Sequence, residues 1–159
     1  MLELKNNIGK NMKKILILLF IMLSFISAET ELAEPKPSLM NPRKFVFPIT
    51  TADEKEISHV LSSISNVVKF YGVDKCEVVI VAYSQGIKTL VKDSNFFDKE
   101  IQKKIRSLMT YDVEFIACNN TMRTYDIKKK DLMADVEVVT AGIVELIERQ
   151  LSGYIYIRP

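Results

Sequence analysis

One segment carries residue types suited to covalent chemistry: Asp112-Val113-Glu114-Phe115-Ile116-Ala117-Cys118-Asn119-Asn120-Thr121-Met122. Its apolar first half reads as a short buried strand that stops on a cysteine. Its polar second half reads as the opening of a helix. A thiol in that position meets backbone N–H groups and the positive end of a helix dipole, both of which favour a thiolate. A free cysteine, with a pKa of about 8.5, is only slightly ionised at neutral pH, so such a setting raises the reactive fraction. Asn119 or Asn120 is expected to cap the helix, and Thr121 to donate a hydrogen bond to the sulfur or to a bound anion. The same pattern also fits a buried, inert thiol, since free cysteine is among the most buried residue types.

The other candidates are weaker. Cys76 opens an apolar run and reads as structural. His59 lies opposite the apolar stripe of its helix and reads as solvated. One histidine and two separated cysteines make no zinc set, and His59 on an outer helix face makes no Cys–His pair. There is no Cys-x-x-Cys, and five scattered glycines make no phosphate loop. No cofactor is expected, and a hydrolase or thiol oxidoreductase has no residue set to support it.

The elements that must position Cys118 alternate. Lys44–Thr50 is a short apolar strand. Thr51, with Glu54 three residues on, forms a capping box for a helix that runs to about Phe70, its apolar positions Ile57, Val60, Leu61, Ile64, Val67 and Val68 at helical spacing. Glu77–Tyr83 is a second, buried strand, and Ser84-Gln85-Gly86 turns the chain. Asp98–Leu108 is helical. Val113–Cys118, Val136–Thr140 and Tyr154–Ile157 are further strands. Asn119–Tyr125 is a short helix, Lys129–Met133 another turn, and Ile143–Leu151 a helix with Ile143, Leu146, Ile147 and Leu151 inward. Strands alternating with helices imply βαβ units with right-handed crossovers. The expected fold is therefore α/β: a three-layer α/β/α sandwich of about five mostly parallel strands. In such a fold the C-terminal strand ends share one edge. That edge gathers Thr50, Thr51, Tyr83 to Gly86, Cys118 to Met122, Ala141 and Gly142. Cys76 then lies at the opposite edge, roughly 15–20 Å from Cys118 at ~3.3 Å per residue. A disulfide needs Cα atoms within about 7 Å, so none is expected between them. Tyr154 and Tyr156 fit either an interface stripe or edge-strand packing.

The N-terminal segment has its own pattern. Lys13 and Lys14 precede an apolar run from Ile15 to Ile26, followed by Ser27, Ala28 and an acidic stretch. That is the order of a secretory signal, with cleavage expected after Ala28. The apolar run is about 12 residues, short of the ~20 that span a bilayer, so the membrane is expected to be met only through the export signal. Met12 is a candidate natural start. Removing residues 1–28 leaves 18 basic against 19 acidic residues, so the mature chain carries −1 rather than +2. The basic balance belongs to the export segment and points to no nucleic-acid partner. Residues 29–43, with Pro35, Pro37 and Pro42, read as a flexible lead to a domain over 44–159.

At these residues the chain resembles the DsrE/DsrF-like family of small sulfur-relay proteins, over about Lys44 to Pro159. The most specific parts are the strand–cysteine–helix segment ending Asn120-Thr121-Met122, the helix segment Ser65-Asn66-Val67-Val68-Lys69-Phe70-Tyr71-Gly72, and the ending Gln150-Leu151-Ser152-Gly153-Tyr154. The resemblance implies a five-stranded α/β/α fold and a trimeric or hexameric homo-oligomer. It also implies a cysteine at Cys118 that accepts sulfur as a persulfide and passes it to a partner protein. Asn119, Asn120, Thr121, Met122, Tyr83 and Gly86 would then stabilise the anion or bind ligand. The expectation is an exported, periplasmic or secreted sulfane-sulfur carrier; the alternative is an oligomeric small-ligand-binding or interaction module without catalysis.

Overall fold

The computed structural model describes residues 30–92 and 97–159; the export segment and its cleavage point lie outside the described residues. The chain divides into two compact units, Met1–Lys36 and Pro37–Pro159. In the first, the described residues are irregular, with the Lys36 N–H donating to Glu34 Oε2 at 3.1 Å. The second opens with a turn closed by two backbone bonds of 3.1 Å between Ser38 and Asn41, ahead of the boundary expected at Lys44. Among the described residues, no helix is long and apolar enough to cross a membrane.

Five strands alternate with the helices: β1 (Arg43–Ile49), β2 (Cys76–Ala82), β3 (Glu114–Cys118), β4 (Glu137–Val139) and β5 (Ile155–Tyr156). They form one sheet in the order β4-β3-β2-β1-β5. Every pairing is parallel, so the C-terminal strand ends do share one edge. The helices are α1 (Glu54–Tyr71), α2 (Lys99–Met109), α3 (Asn119–Thr124) and α4 (Gly142–Leu151). Ser84–Leu90 is a 3-10 helix, which begins at the turn expected over Ser84-Gln85-Gly86 and continues past it.

Strand alternation divides the core. Phe45, Phe47, Ile49, Val78, Ile80, Ala82, Phe115 and Ala117 face one side, where α1 and α2 cover them. Val46, Val79, Val81 and Ile116 face the other, under Leu146 of α4. The near-continuous apolar runs follow from a parallel sheet covered on both faces. The α1 stripe is buried as expected at Ile57, Val60, Leu61, Ile64 and Val68, with Val67 half-buried.

The start of α1 differs from the expected capping box. The cap is Asp53, whose Oδ1 accepts from the N–H groups of Lys55 and Glu56, both at 2.9 Å. Asp53 stands directly before the first helical residue, where a short carboxylate reaches the free N–H groups of the first turn. Thr51 sits one step too far back and accepts from the Asp53 N–H instead, at 3.0 Å. Glu54 reaches the neighbouring helix, its Oε1 accepting from the Asp98 N–H at 3.0 Å. Asp53→Ala is therefore expected to cost about 1 kcal/mol of stability, read as a lowered midpoint in chemical denaturation; Thr51→Ala should cost less.

The larger departure is α4. Of the four residues expected inward, only Leu146 is buried; Ile143, Ile147 and Leu151 are exposed, as is Val144. Among the described residues α4 is the helix that covers this sheet face, and a single helix buries only its line of contact, so the rest of its apolar stripe faces outward. The sheet-facing side of α4 is held by polar contacts. Arg149 forms ion pairs of 2.6 Å with both Glu114 and Glu145. Its Nη1 donates to Tyr154 Oη at 3.3 Å. Tyr154 Oη donates to Glu77 at 2.8 Å, and Glu77 pairs with Lys44 at 3.4 Å. Tyr154 is thus a tie between β5, β2 and α4, while Tyr156 stays part-exposed at the sheet edge.

Candidate functional site

Cys118 ends β3 on the α4 side of the sheet, because its neighbours two residues back on that strand, Ile116 and Glu114, face α4. Its position one step past the Ala82↔Ala117 pair sets it level with Tyr83, the residue that follows β2. Both cysteines are free, and Cys76, at the start of β2, occupies the opposite edge.

The expected cap is not the one observed. Cys118 itself is the cap residue of α3, with extended backbone and no side-chain capping bond. Asn119 and Asn120 are exposed. α3 is only six residues long, too short to concentrate much dipole at the sulfur. Hydrogen bonds do the work instead. Burial pushes the Cys118 thiol up, but the Thr121 hydroxyl and the backbone N–H groups of Gly142, Thr121 and Asn120 outweigh it and hold the thiol below its ordinary value. Donors aimed at the charged form are one of the three causes of a shifted pKa.

The donors come from two elements, α3 and the start of α4. The Thr121 hydroxyl accepts from the Ser84 N–H at 3.2 Å, which leaves its proton for the sulfur. Ser84 has φ of +52°, a left-handed conformation uncommon outside glycine and one that accumulates at functional sites. Gly86 makes this turn possible. It packs so closely on the end of β1 that an added Cβ would lie 2.0 Å from the Ile49 carbonyl oxygen. Gly142 brings the first N–H of α4 over the sulfur; a Cβ there would meet Cys118 Cβ at 3.1 Å and Tyr83 Cβ at 3.2 Å. Asn120 contributes its backbone, its N–H also reaching the Thr140 carbonyl at 3.2 Å.

The structure thus brings Cys118, Thr121, the Asn120 backbone and Tyr83 together. Gly86 supports the turn from below. Met122 is buried in the larger core cluster, and Asn119 lines an open depression with Arg123 and Lys128. The Tyr83 phenol is pushed up by burial and by Tyr156, pulled down by Arg158, and pushed up again by Cys118. The four residues therefore share one electrostatic neighbourhood. The sequence reading placed Gly142 at this edge without a role and missed Arg158. The signal for Gly142 was a strand followed at once by Ala-Gly at a helix start, where unpaired N–H groups are guaranteed.

The family model of the DsrE/DsrF-like family matches residues 43–159. The chain belongs to the DsrE/DsrF-like family. Among solved structures it is similar to MTH1491, a protein of unknown function from Methanobacterium thermoautotrophicum, at 31% identity and a TM-score of 0.66, covering 74% of this chain and 99% of that one. It also resembles the ychN protein from E. coli, at 17% identity and a TM-score of 0.62, over 72% of this chain and 99% of that one; that likeness concerns the fold. No curated protein matches the chain. This DsrE-like domain therefore has a sulfur-relay-type fold with a cysteine at the C-terminal edge of its sheet.

Proposed function

We propose that the protein is an exported sulfane-sulfur carrier that holds a persulfide on Cys118. The observation that supports this most is the place of Cys118 at the C-terminal end of β3 with the start of α4 packed against it at Gly142, in surroundings that hold its thiol below the ordinary value. The step is a transfer. The Cys118 thiolate attacks the outer sulfur of a donor persulfide, forming a new S–S bond as the old one breaks. The electron pair leaves on the donor thiolate, and the terminal sulfur stays on Cys118. An acceptor thiolate reverses the sequence with no net redox change. A persulfide is more acidic than a thiol, so donors that stabilise a thiolate also hold the charged product. The donor and acceptor are thiol proteins or small persulfides. The exported location rests on the Lys13-to-Ala28 pattern.

The mature chain incubated with inorganic polysulfide should gain the mass of one sulfur atom on the peptide that holds Cys118. The gain should vanish in Cys118→Ser and persist in Cys76→Ser. Loading that survives Cys118→Ser would end the proposal. A second reading is a binding module with Cys118 as pocket wall, favoured by its burial at 5% exposure. It requires ligand protection of the thiol with no mass gain.

A further inference from the structure

Sulfur transfer from an inorganic donor joins two anions. A thiolate must approach a chain that is itself charged, and like charges slow that approach unless a cation offsets them. The groups that hold the Cys118 thiol below its ordinary value are all neutral, a hydroxyl and backbone N–H groups. A cation that admits such a donor must come from elsewhere on the sheet edge.

The sheet register points to one. Tyr154 packs with the core cluster under α4, and Ile157 with the cluster on the opposite side. Between them Tyr156 stands opposite Val46, which faces α4. Ile157 continues the pairing, its N–H donating to the Val46 carbonyl at 3.0 Å. Alternation along β5 therefore turns Arg158 to the α4 side, the side on which Cys118 lies. Continuing the register sets Arg158 level with Pro48, and Pro48 pairs with Val81, two residues before Tyr83. From β5 to β3 is three strand spacings, roughly 14 Å, and an extended arginine side chain covers about half of that.

Nothing charged stands between. Pro48 and Tyr83 lie on the way, and the Tyr83 phenol is pushed up, so it is neutral at pH 7. The other ionic groups under α4 are already paired: Arg149 with Glu114 and Glu145, and Glu77 with Lys44. Arg158 is exposed, and it is near enough to Tyr83 to favour the ionised phenol.

We propose that Arg158 is a specificity-determining residue of the Cys118 site, and that it draws in small anionic sulfane-sulfur donors of the inorganic polysulfide class. The Cys118 thiolate attacks the terminal sulfur of the chain. One S–S bond forms as the next one breaks, and the shortened polysulfide leaves with the electron pair as a dianion. Cys118 keeps one sulfur and one negative charge. The donor class rests on the carrier reading; the attraction of anions toward Cys118 does not.

The test compares two alkylating agents of nearly equal size, iodoacetate, an anion, and iodoacetamide, which is neutral. Both react with Cys118 in the mature chain carrying Cys76→Ser, with Arg158 native or changed to Gln or Lys. Arg158 is exposed, so unchanged far-UV circular dichroism is expected. Arg158→Gln should lower the iodoacetate-to-iodoacetamide rate ratio about twofold, the effect of a unit charge some 8 Å away in water. Arg158→Lys should restore most of it. A change in the thiolate fraction moves both rates together, so the ratio isolates the charge. Polysulfide, a dianion, should load Arg158→Gln about fivefold more slowly, to the same final mass gain. A ratio unchanged by Arg158→Gln overturns the proposal. A lowered ratio with an unchanged polysulfide loading rate overturns the donor class. Failure of the carrier reading is separate: it appears as no polysulfide mass gain in any of these proteins, while the alkylation ratio still reports on Arg158.

Discussion

Cys118 is expected to alkylate faster than Cys76 throughout the range below the ordinary thiol pKa of about 8.5, and Cys76→Ser to keep all of the fast-reacting thiol. The two sulfurs are similarly buried, so the difference lies in what surrounds them. Burial alone acts on Cys76 and pushes its thiol up, and its S–H donates to the Gly72 carbonyl at 3.4 Å, a bond that favours the protonated form. At Cys118 the Thr121 hydroxyl and the N–H groups of Gly142, Thr121 and Asn120 favour the anion and hold the thiol below its ordinary value. Thr121→Val removes one of them and leaves the Ser84 N–H without its acceptor. Its alkylation–pH profile should move to higher pH, with a rate at neutral pH about tenfold lower, the low end of what a hydrogen bond to a charged group contributes. A profile that does not move would mean that the backbone donors suffice. The stability linkage has opposite signs at the two sites. The depressed Cys118 contributes stability above the unfolded thiol pKa, and this is lost as pH falls through its folded value. The raised Cys76 contributes below the unfolded pKa, and this is lost as pH rises through its folded value. Between Cys118→Ser and wild type, the stability gap should therefore widen on the alkaline side.

Gly86→Ala is expected to be the most damaging single-methyl change in the domain. The new Cβ would lie 2.0 Å from the Ile49 oxygen, 2.4 Å from the Ile49 carbonyl carbon and 2.8 Å from the Thr50 nitrogen, all backbone atoms of the strand end. No side chain can rotate away, so β1 and the Ser84–Leu90 turn must separate. Overpacking ordinarily costs about 1–3 kcal/mol, and a clash with backbone belongs at the upper end, lowering Tm by on the order of 10 °C. The same separation pulls the Ser84 N–H from the Thr121 hydroxyl, now 3.2 Å apart. Loss of stability should come with a Cys118 profile displaced toward that of Thr121→Val. Thermal melts and alkylation profiles on one preparation check both. A stable protein with an unmoved profile would show that the turn is not fastened to β1 as the packing implies. Gly142→Ala should be milder, because the neighbours at 3.1–3.2 Å include side-chain atoms that yield by a few tenths of an ångström.

Much of this was legible before any coordinates. Alternating strand and helix patterns identify the α/β class, since a parallel sheet buried on both faces writes itself as runs such as Val78–Ala82 and Phe115–Ala117. The apolar spacing of α1 marks its buried side, because helical period and burial are coupled through a single geometry. The same logic carries Cys118 to the end of a strand, and with it to the edge where ligands gather.

What the sequence could not decide are matters of which atom reaches which. Thr51 and Asp53 are both good caps, and only the position of the first helical turn selects Asp53. The asparagines after Cys118 are the residues that a pattern reader chooses as caps, yet the sulfur is stabilised by backbone N–H groups, which every residue owns and no residue type announces. Gly142 is 24 positions from Cys118 in the chain, and its closeness to the thiol comes from the crossover that returns α4 to the head of the sheet. The α4 stripe shows the same boundary most clearly. Amphipathicity establishes that Ile143, Ile147 and Leu151 need an apolar partner, but not whether that partner is the helix's own sheet or something outside it. Packing against the sheet decides only which residues the sheet covers: Leu146 is buried, because a helix has one line of contact with a flat surface, and Ile143, Ile147 and Leu151 lie off that line and are exposed.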